Sequence, residues 1–481
     1  MGVLSNLEPN SVFKFFEEIC SIPHGSGNVE QISAYLVKFA KDRNLEYYQD
    51  ELKNVIIIKE AAKGYEQEKP VIIQGHMDMV AVKTPDSDID MEKDGLSLGI
   101  DGDFIYAKNT SLGGDDGIAV AFALALMDSD SLEHPRLEAI LTVDEEVGLD
   151  GAKGIDLSML KGKQLINIDS EEEGFLLTSC AGGCSLRCTI PVAREKREGI
   201  TYEISMTGLL GGHSGIEIHK ERGNANCLMG RLLYQTAKEV PVSLVSLEGG
   251  EKDNAIPKAA KAVVLISEAD AANFEAAVEK FEGAMQHELA VKDPDAKVKM
   301  EKKESAVKDC LTKDAFDRIA TYLIAVPNGV QAMSASIKGL VETSVNLGVM
   351  KLEENEFKAA GAVRSSVQTS KDYLIDRITG LCAMAGGSYS QEGDYPAWEY
   401  KLESPLRDKM LSVYQDMYGK DMIPQAIHAG LECGLLSGKI EGLDCVSIGP
   451  DMVHVHTTDE KLSISSTRRV WEYLVEVLKR K

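Results

Sequence analysis

The first 180 residues alternate helical patterns with short strands that are apolar along their whole length, and this alternation limits the fold more than any other feature. Strands buried on both faces are continuous apolar runs, whereas half-exposed strands alternate apolar and polar residues. The predicted strands are 54–58, 71–74, 138–143 and 164–168, and the predicted helices are 11–22, 29–44 and 116–127. The pattern therefore predicts an α/β domain with a largely parallel central sheet.

The pattern changes after residue 180. Residues 181–396 contain charged amphipathic helices and alternating strands, at 202–206, 262–266, 333–338 and 344–351. This mixture is typical of an α+β sandwich. The last 85 or so residues return to helix, strand, helix, which matches the first pattern. We therefore predict an α/β domain formed by residues 1–180 and 397–481, interrupted by an inserted α+β domain at 181–396 that is long enough for two small sandwiches.

The charge balance excludes some partners. The chain has 52 Lys and Arg against 77 Asp and Glu, a net charge of −25. Binding to nucleic acid or to anionic membranes requires a basic surface, so neither is expected as a partner. No apolar run reaches the roughly 18 residues that a membrane span needs, and the start of the chain lacks the basic and apolar regions of a signal peptide.

The cysteine content indicates a reducing compartment. Nine cysteines in 481 residues is a low and odd count, which is typical of intracellular proteins, and we predict a cytoplasmic location. Cys180, Cys184 and Cys188 are evenly spaced, but in a strand neighbours of this spacing lie about 13 Å apart. We expect these three to pack on one face of a strand rather than to bind a metal.

Acidic residues and a histidine follow several of the apolar strands. His76 and Asp78 come directly after the second predicted strand and share one face of it, so Asp78 can orient the imidazole. Glu145 and Glu146 follow the third, and adjacent carboxylates repel unless a cation or water screens them. Asp169 follows the fourth. Because the carboxyl ends of parallel strands border one crevice, we expect these side chains to converge.

Two further aspartates stand between a glycine pair and an apolar helix. Asp116 is placed to cap the helix N-terminus, and this structural role explains one of the two. Asp115 then remains as a candidate for bridging two metal ions.

The residue types in these clusters point to metal-assisted hydrolysis. Imidazole and carboxylate ligands without thiolate suit Zn²⁺, with Co²⁺ or Mn²⁺ as substitutes. Two ions sharing one carboxylate would lie about 3.5–4 Å apart, and a hydroxide between them would be the nucleophile. Glu145 is left over from the ligand set, and a free glutamate beside such a water is what a general base requires.

The same clusters carry a family resemblance that extends, in order, over nearly the whole chain. The motifs are GHMDMV, TSLGGDDGIA, TVDEEVGLDGA, NIDSEEEG, HAGLECGLL, SIGP and HVHTTDEKLSI. They resemble the zinc peptidases of the aminoacylase and carboxypeptidase G type, and within them the aminoacyl-histidine dipeptidase branch. The resemblance implies two zinc ions per chain and a catalytic domain interrupted by a lid.

The resemblance also implies a role for each matching residue. His76 and Asp169 would hold one zinc, Glu146 and His456 the other, and Asp115 would bridge them, with Glu145 as general base and Asp78 orienting His76. His456 is chosen over His454 because it stands three residues before the Asp-Glu pair.

Three lid residues are implied in the same way. His213 would steady the oxyanion, and Asn254 and Arg364 would bind the substrate's carbonyl and C-terminal carboxylate. A guanidinium suits a carboxylate because it makes paired hydrogen bonds. The alternatives are an ordinary ion pair for Arg364 and a plain glycine-loop position for His213. The remaining histidines are interpreted as structural: His24, His134, His219, His287 and His428.

The predicted function is metal-dependent hydrolysis of dipeptides, either of the Xaa-His type or of broad specificity. The alternatives are a deacylase or tripeptidase on the same scaffold, a phosphate-ester hydrolase, or a metal-binding protein without activity. Since the inserted domain is long enough for a doubled lid, we expect the site not to depend on dimerisation. The sequence leaves a homodimer open.

Overall fold

The computed structural model describes residues 2–481. The helices are α1 (Asn10–Cys20), α2 (Glu30–Asp42), α3 (Gly114–Asp128), α4 (Asp150–Gly154), α5 (Ala225–Glu239), α6 (Ala271–Leu289), α7 (Lys313–Ala325), α8 (Gln368–Met384), α9 (Pro405–Tyr418), α10 (Glu432–Lys439) and α11 (Ile464–Lys479). Within this range, every helix is too short or too polar to cross a membrane.

The strands within the described residues form four sheets. They are β1 (Glu46–Gln49), β2 (Val55–Lys59), β3 (Val71–His76), β4 (Leu98–Asp101), β5 (Phe104–Ala107), β6 (Leu137–Thr142), β7 (Gln164–Asn167), β8 (Phe175–Cys180), β9 (Gly182–Pro191), β10 (Arg194–Thr207), β11 (Gly212–His213), β12 (Ser243–Gly249), β13 (Ala255–Ile256), β14 (Ala260–Ile266), β15 (Lys297–Leu311), β16 (Gly329–Met333), β17 (Val341–Leu352), β18 (Glu356–Ser365), β19 (Ser388–Tyr395), β20 (Ile423–Ile427), β21 (Asp444–Ser447), β22 (Met452–Val453) and β23 (Lys461–Ser463).

The chain divides into two compact units. The first unit comprises Met1–Cys180, Tyr400–Ala426 and Leu431–Lys481. The second, called the inserted unit below, comprises Ala181–Glu399 and the short segment Ile427–Gly430.

The first unit is built on an eight-stranded sheet in the order β1-β2-β6-β3-β7-β21-β8-β20. The central strands β6, β3, β7 and β21 run parallel, while β1, β2 and β8 are antiparallel to their neighbours. β3 and β6 are buried along their whole length, as continuous apolar runs require. Helix α3 is apolar all round and buried from Gly114 to Met127, so it forms the core beside β3. The predicted fold class is confirmed.

The inserted unit has one large antiparallel sheet, β15-β10-β14-β12-β17-β18-β9-β19. Its first four strands alternate with α5 and α6 in a β-α-β-β-α-β order. The other four, β9, β17, β18 and β19, alternate with α7 and α8 in the same order. Each half is therefore a ferredoxin-like fold, and the equivalent strands β12 and β17 pair through Glu248–Lys351 and Gly249–Met350. Along the chain, the first half is inserted into the second, between β9 and α7.

The strand predicted at 333–338 is wrong. Strand β16 ends at Met333, and the next residues form turns. The side-chain oxygen of Ser334 accepts hydrogen bonds from the amides of Ser336 and Ile337, at 3.3 and 3.1 Å. Serine side chains that bind nearby amides compete with strand pairing, so an alternating apolar pattern here produced no strand.

Candidate metal centre

His76 is the last residue of β3, and its ring is held from one side by Asp78. The His76 Nδ1 lies 2.9 Å from the Asp78 backbone oxygen and 3.5 Å from its Oδ1. The Asp78 carboxylate also accepts from the Ser26 hydroxyl at 2.8 Å and from the Glu145 amide at 3.1 Å. Although burial opposes the charge, the hydrogen bonds from His76 keep the pKa of Asp78 below its usual value. Asp78 thus links the imidazole to the Glu145 backbone.

Asp115 lies between two imidazoles. Its Oδ1 is 3.1 Å from the His76 Nε2, and its Oδ2 is 3.0 Å from the His456 Nε2. Despite burial, these contacts hold the pKa of Asp115 below its ordinary value. A carboxylate whose two oxygens face two different imidazoles has the arrangement that a bridging ligand requires.

Two more carboxylates complete the cluster. The Glu146 Oε1 lies 2.8 Å from the His456 Nε2 without forming a hydrogen bond within the described residues. The Asp169 Oδ1 lies 3.8 Å from the His76 Nε2. Asp115, Glu146 and His456 have ligand atoms within 4.8 Å of one another, and so do His76, Glu145 and Glu146. The structure therefore brings together the five residues predicted as ligands, and His454 is in none of these groups.

The prediction that Asp116 caps helix α3 is wrong. Within the described residues, neither carboxylate oxygen of Asp116 accepts a hydrogen bond from an amide of the first turn of this helix. Its Oδ2 accepts a hydrogen bond from the His76 amide at 3.2 Å, and its ligand atoms lie within 4.8 Å of those of His76 and Asp169. The backbone of Asp115 and Asp116 is not helical, and this local geometry turns both carboxylates toward the end of β3.

Glu460 holds the loop before Asp115 and was not singled out from the sequence. Its buried carboxylate accepts from the amides of Leu112, Gly113 and Gly114, at 2.9, 3.3 and 2.8 Å. Gly113 has φ of +67°, which favours glycine. The Asp-Glu pair of the last motif was the available signal, because it stands close to His456.

The carboxyl group of Glu145 has a raised pKa. Burial raises its pKa to about 8, although His76 nearby acts in the opposite direction. Burial also raises the pKa of Asp169, whereas the hydrogen bond to Asp115 and the close carboxylate of Glu146 raise the pKa of His456 to about 10. A glutamate with a raised pKa among ligand carboxylates can exchange a proton near neutral pH.

The cluster suits divalent cations. It holds far more negative charge than His76 and His456 can offset, and most of it is buried. The carboxyl groups are Asp78, Asp115, Asp116, Glu145, Glu146, Asp169 and Glu432. Buried carboxylates without positive partners are costly, and the buried Asp116 Oδ1 has no hydrogen-bond partner within residues 2–481. Imidazole and carboxylate donors are those that Zn²⁺, Co²⁺ and Mn²⁺ accept.

The inserted unit holds the other three predicted residues. The Ser214 amide, next to His213, donates to the backbone carbonyl oxygen of Asn254 at 2.8 Å. Asn254 and Arg364 line one cavity of about 390 Å³, together with Tyr395. The Arg364 Nη1 donates to the Tyr395 hydroxyl at 2.9 Å, and its buried Nε has no hydrogen-bond partner among the described residues. A guanidinium edge is therefore left for a ligand.

His428 belongs to this group, although the sequence suggested only a structural role. It lies in the segment Ile427–Gly430, and its Nε2 is 2.7 Å from the Ser344 hydroxyl. Burial, and then the charge of Arg364, lower the pKa of His428 to about 3. The same two causes lower the pKa of His213. Both imidazoles therefore stay neutral at physiological pH.

A mixed α/β sheet with an imidazole–carboxylate cluster at its carboxyl edge, in a chain with an inserted α+β unit, is the architecture of a metallopeptidase. The family model described as the peptidase dimerisation domain of M20 enzymes matches residues 204–293, within the first half of the inserted unit. The cytosol non-specific dipeptidase of Escherichia coli K12 is 37% identical over 483 residues, covering 100% of this chain and 99% of that protein. The chain therefore belongs to the M20 metallopeptidase family, in the branch of this dipeptidase.

Solved structures agree. The aminoacylhistidine dipeptidase of Vibrio alginolyticus matches with a TM-score of 0.94 and 35% identity, covering 99% of this chain and 98% of that one. An aminopeptidase of Bacillus cereus matches with a TM-score of 0.56 and 14% identity, covering 98% of each chain. The second likeness shows the fold alone.

Proposed function

We propose that this chain hydrolyses dipeptides with the help of two zinc ions, for which Co²⁺ or Mn²⁺ can substitute. The observation that carries the proposal is Asp115, whose two oxygens face His76 and His456, with Glu145 beside them. His76 and Asp169 would hold one ion and Glu146 and His456 the other. The names of the Escherichia coli and Vibrio relatives support a dipeptide substrate, either Xaa-His or of broad specificity, and a cytoplasmic location.

The chain's own residues supply the proton transfers. When bound, the ions would make a water molecule more acidic and polarise the scissile carbonyl. Glu145 accepts the proton of the attacking water and then delivers it to the departing amine, since its carboxylate lies beside the ligand atoms of His76 and Glu146 that would hold the ions. Asp78 fixes the ring of His76 and, through the Glu145 amide, the backbone of the base.

The inserted unit would bind the substrate. Arg364 and Asn254 line one cavity, and the Arg364 Nε has no hydrogen-bond partner among the described residues, which suits the C-terminal carboxylate and the adjacent carbonyl of a short peptide. His213, neutral because its pKa is lowered, can donate a hydrogen bond to a developing oxyanion. Gripping a free carboxylate close to the scissile bond favours dipeptides over proteins.

The decisive assay uses metal-stripped protein with and without added Zn²⁺, beside Glu145→Ala, on a panel of dipeptides that includes β-alanyl-histidine. We expect zinc to restore hydrolysis only to the unmutated protein, with the variant about 10²–10⁴-fold slower and still binding zinc. If the unmutated protein binds two zinc ions but cleaves no dipeptide, the proposal fails. Acylated amino acids and tripeptides in the same panel would then identify the reaction.

A further inference from the structure

Three polar side chains lie in the sheet of the first unit just beneath the metal centre. Thr142, Gln74 and Asn167 are on the adjacent parallel strands β6, β3 and β7, and each is wholly buried. Gln74 stands two residues before His76, so both share one face of β3. The Asn167 Oδ1 accepts from the Asp169 amide at 3.3 Å. Each polar residue is thus close to a strand end that carries a candidate ligand.

Glu432 joins the three strands. It is the first residue of α10, and none of it is exposed to solvent. Its Oε2 accepts from the Gln74 Nε2 at 2.5 Å and from the Thr142 hydroxyl at 2.6 Å. The Asn167 Nδ2 in turn donates to the Gln74 Oε1 at 2.7 Å. The Glu432 carboxylate, from the C-terminal part of the sequence, therefore belongs to a hydrogen-bond network that connects β6, β3 and β7.

This arrangement costs free energy that a purely structural core would avoid. The Glu432 Oε1 is buried and has no hydrogen-bond partner within residues 2–481, and a buried unpaired carboxylate oxygen is destabilising. Apolar side chains of similar size would fill the same layer without that cost. Directional hydrogen bonds, unlike apolar contacts, allow one arrangement of the strand ends.

We propose that Glu432 is a positioning residue for the metal centre, fixing the ends of β3 and β6 directly and the end of β7 through Gln74 and Asn167. These strand ends carry His76, Glu145 and Asp169, at the end of a strand or within three residues after it. Their side chains are then held close together before any ion binds. The inference rests on the proposed function in one respect, namely that metal ions bind at this centre.

Glu432→Leu tests the inference against a matched control, Glu138→Leu. Glu138 is equally buried, at the opposite end of β6, and accepts from the amides of Lys161 and Gly162 at 3.0 and 2.9 Å. We expect both variants to lower the unfolding temperature of the metal-free protein. Only Glu432→Leu should weaken Zn²⁺ binding in calorimetric titration, by about 10–100-fold. Equal zinc affinity in the two variants would overturn the inference.

Two milder variants separate hydrogen bonding from charge and from misfolding. Glu432→Gln keeps a carbonyl oxygen for Gln74 and Thr142, so it should retain most of the zinc affinity that Glu432→Leu loses. Thr142→Val removes one donor without changing the side-chain volume, and it should weaken zinc binding less than Glu432→Leu. If Glu432→Gln binds zinc as poorly as Glu432→Leu, charge rather than position is responsible and the inference is wrong.

These titrations contain no substrate, so their outcome is independent of the reaction. Unmutated protein that binds two zinc ions but cleaves no dipeptide would defeat the proposed function and leave the role of Glu432 intact. Full activity with unchanged zinc affinity in Glu432→Leu would do the reverse.

Discussion

The carboxyl groups of the metal centre differ in what surrounds them, and the difference separates their roles. Asp115 is hydrogen-bonded by two imidazoles, which keep its pKa low and its charge available to cations. Glu145 is part-buried, and among the described residues none donates comparable hydrogen bonds to its carboxylate. Burial raises its pKa to about 8. Titratable groups whose environments move their pKa values apart often act as the acid and the base of a site, which supports Glu145 as the proton carrier that we propose.

Arg364 gives a prediction at the residue scale. Arg364→Lys keeps the charge but loses the paired hydrogen bonds of the guanidinium, which are worth about 1.5–3 kcal/mol with a charged partner. We expect kcat/KM for dipeptides to fall roughly 10–100-fold. Dipeptide amides, which lack the carboxylate, should be cleaved equally by both proteins. As a control, Arg231→Lys replaces an arginine paired with Glu288 on the same unit and should leave kcat/KM unchanged.

His428 predicts how stability depends on pH. Its pKa is about 3 in the folded chain and about 6.5 when unfolded. Below pH 6.5 the His428 side chain is protonated in the unfolded chain but stays neutral in the folded chain until near pH 3. Stability therefore decreases as the pH is lowered through this window. Between pH 7 and 5 the loss should be about 2 kcal/mol. Urea unfolding of metal-free protein would show a smaller loss in His428→Gln, and equal losses would contradict the assignment.

At the scale of elements, the centre depends on how closely β3 and α3 approach. A Cβ added at Gly75 would lie 2.3 Å from the Ala119 Cβ and 2.5 Å from the Asp116 Oδ2. Gly75→Ala should therefore destabilise the first unit by about 1–3 kcal/mol. It should also weaken zinc binding, because displacing α3 would move Asp115, which lies at the start of this helix. Chemical denaturation and zinc titration of the purified variant measure the two effects.

Gly283 provides the matched substitution. It lies in α6, and a Cβ there would meet nothing within 4 Å. Gly283→Ala should raise stability by roughly 0.5–1 kcal/mol, the ordinary preference of a helix for alanine. A loss at Gly283 as large as at Gly75 would mean that close packing is not the cause.

Strand ends were predictable, but the contacts made there were only partly so. A buried strand has a local sequence signature, and parallel strands place their carboxyl ends together, which is why His76, Glu146 and Asp169 could be grouped in advance. Asp116 was misassigned because its direction depends on a non-helical backbone inside α3. Glu432 was overlooked because its partners Gln74 and Thr142 are more than 250 residues away.

For the whole molecule, the inserted unit contains two ferredoxin-like halves in one chain. Asn254 follows the second strand of one half, and Arg364 is on the third strand of the other, and both line the same cavity. Because both halves belong to one chain, this cavity for the substrate carboxylate is formed without a second subunit. We therefore expect that mixing Glu145→Ala with His213→Ala protein restores no dipeptidase activity.

Mixed oligomers have to be demonstrated for that result to count. Co-expression of the two variants with different affinity tags, followed by sequential purification, isolates any hybrid dimer. Activity in the hybrid fraction would mean that the inserted unit acts on its partner's catalytic residues, contrary to our expectation. An inactive hybrid dimer would support completion of the site within each chain.

The sequence by itself determined the fold class, and it predicted the interruption of one domain by another and a cluster of acids and histidines at the strand ends. These follow from periodicity and from motifs that are each a few residues long. Only the tertiary structure decided that Asp115 faces two imidazoles, that Glu460 binds the loop before it, and that Glu432 binds Thr142. It also decided that both halves of the inserted unit line one cavity. The physical reason is that hydrogen bonds between distant segments depend on backbone directions that no local pattern encodes.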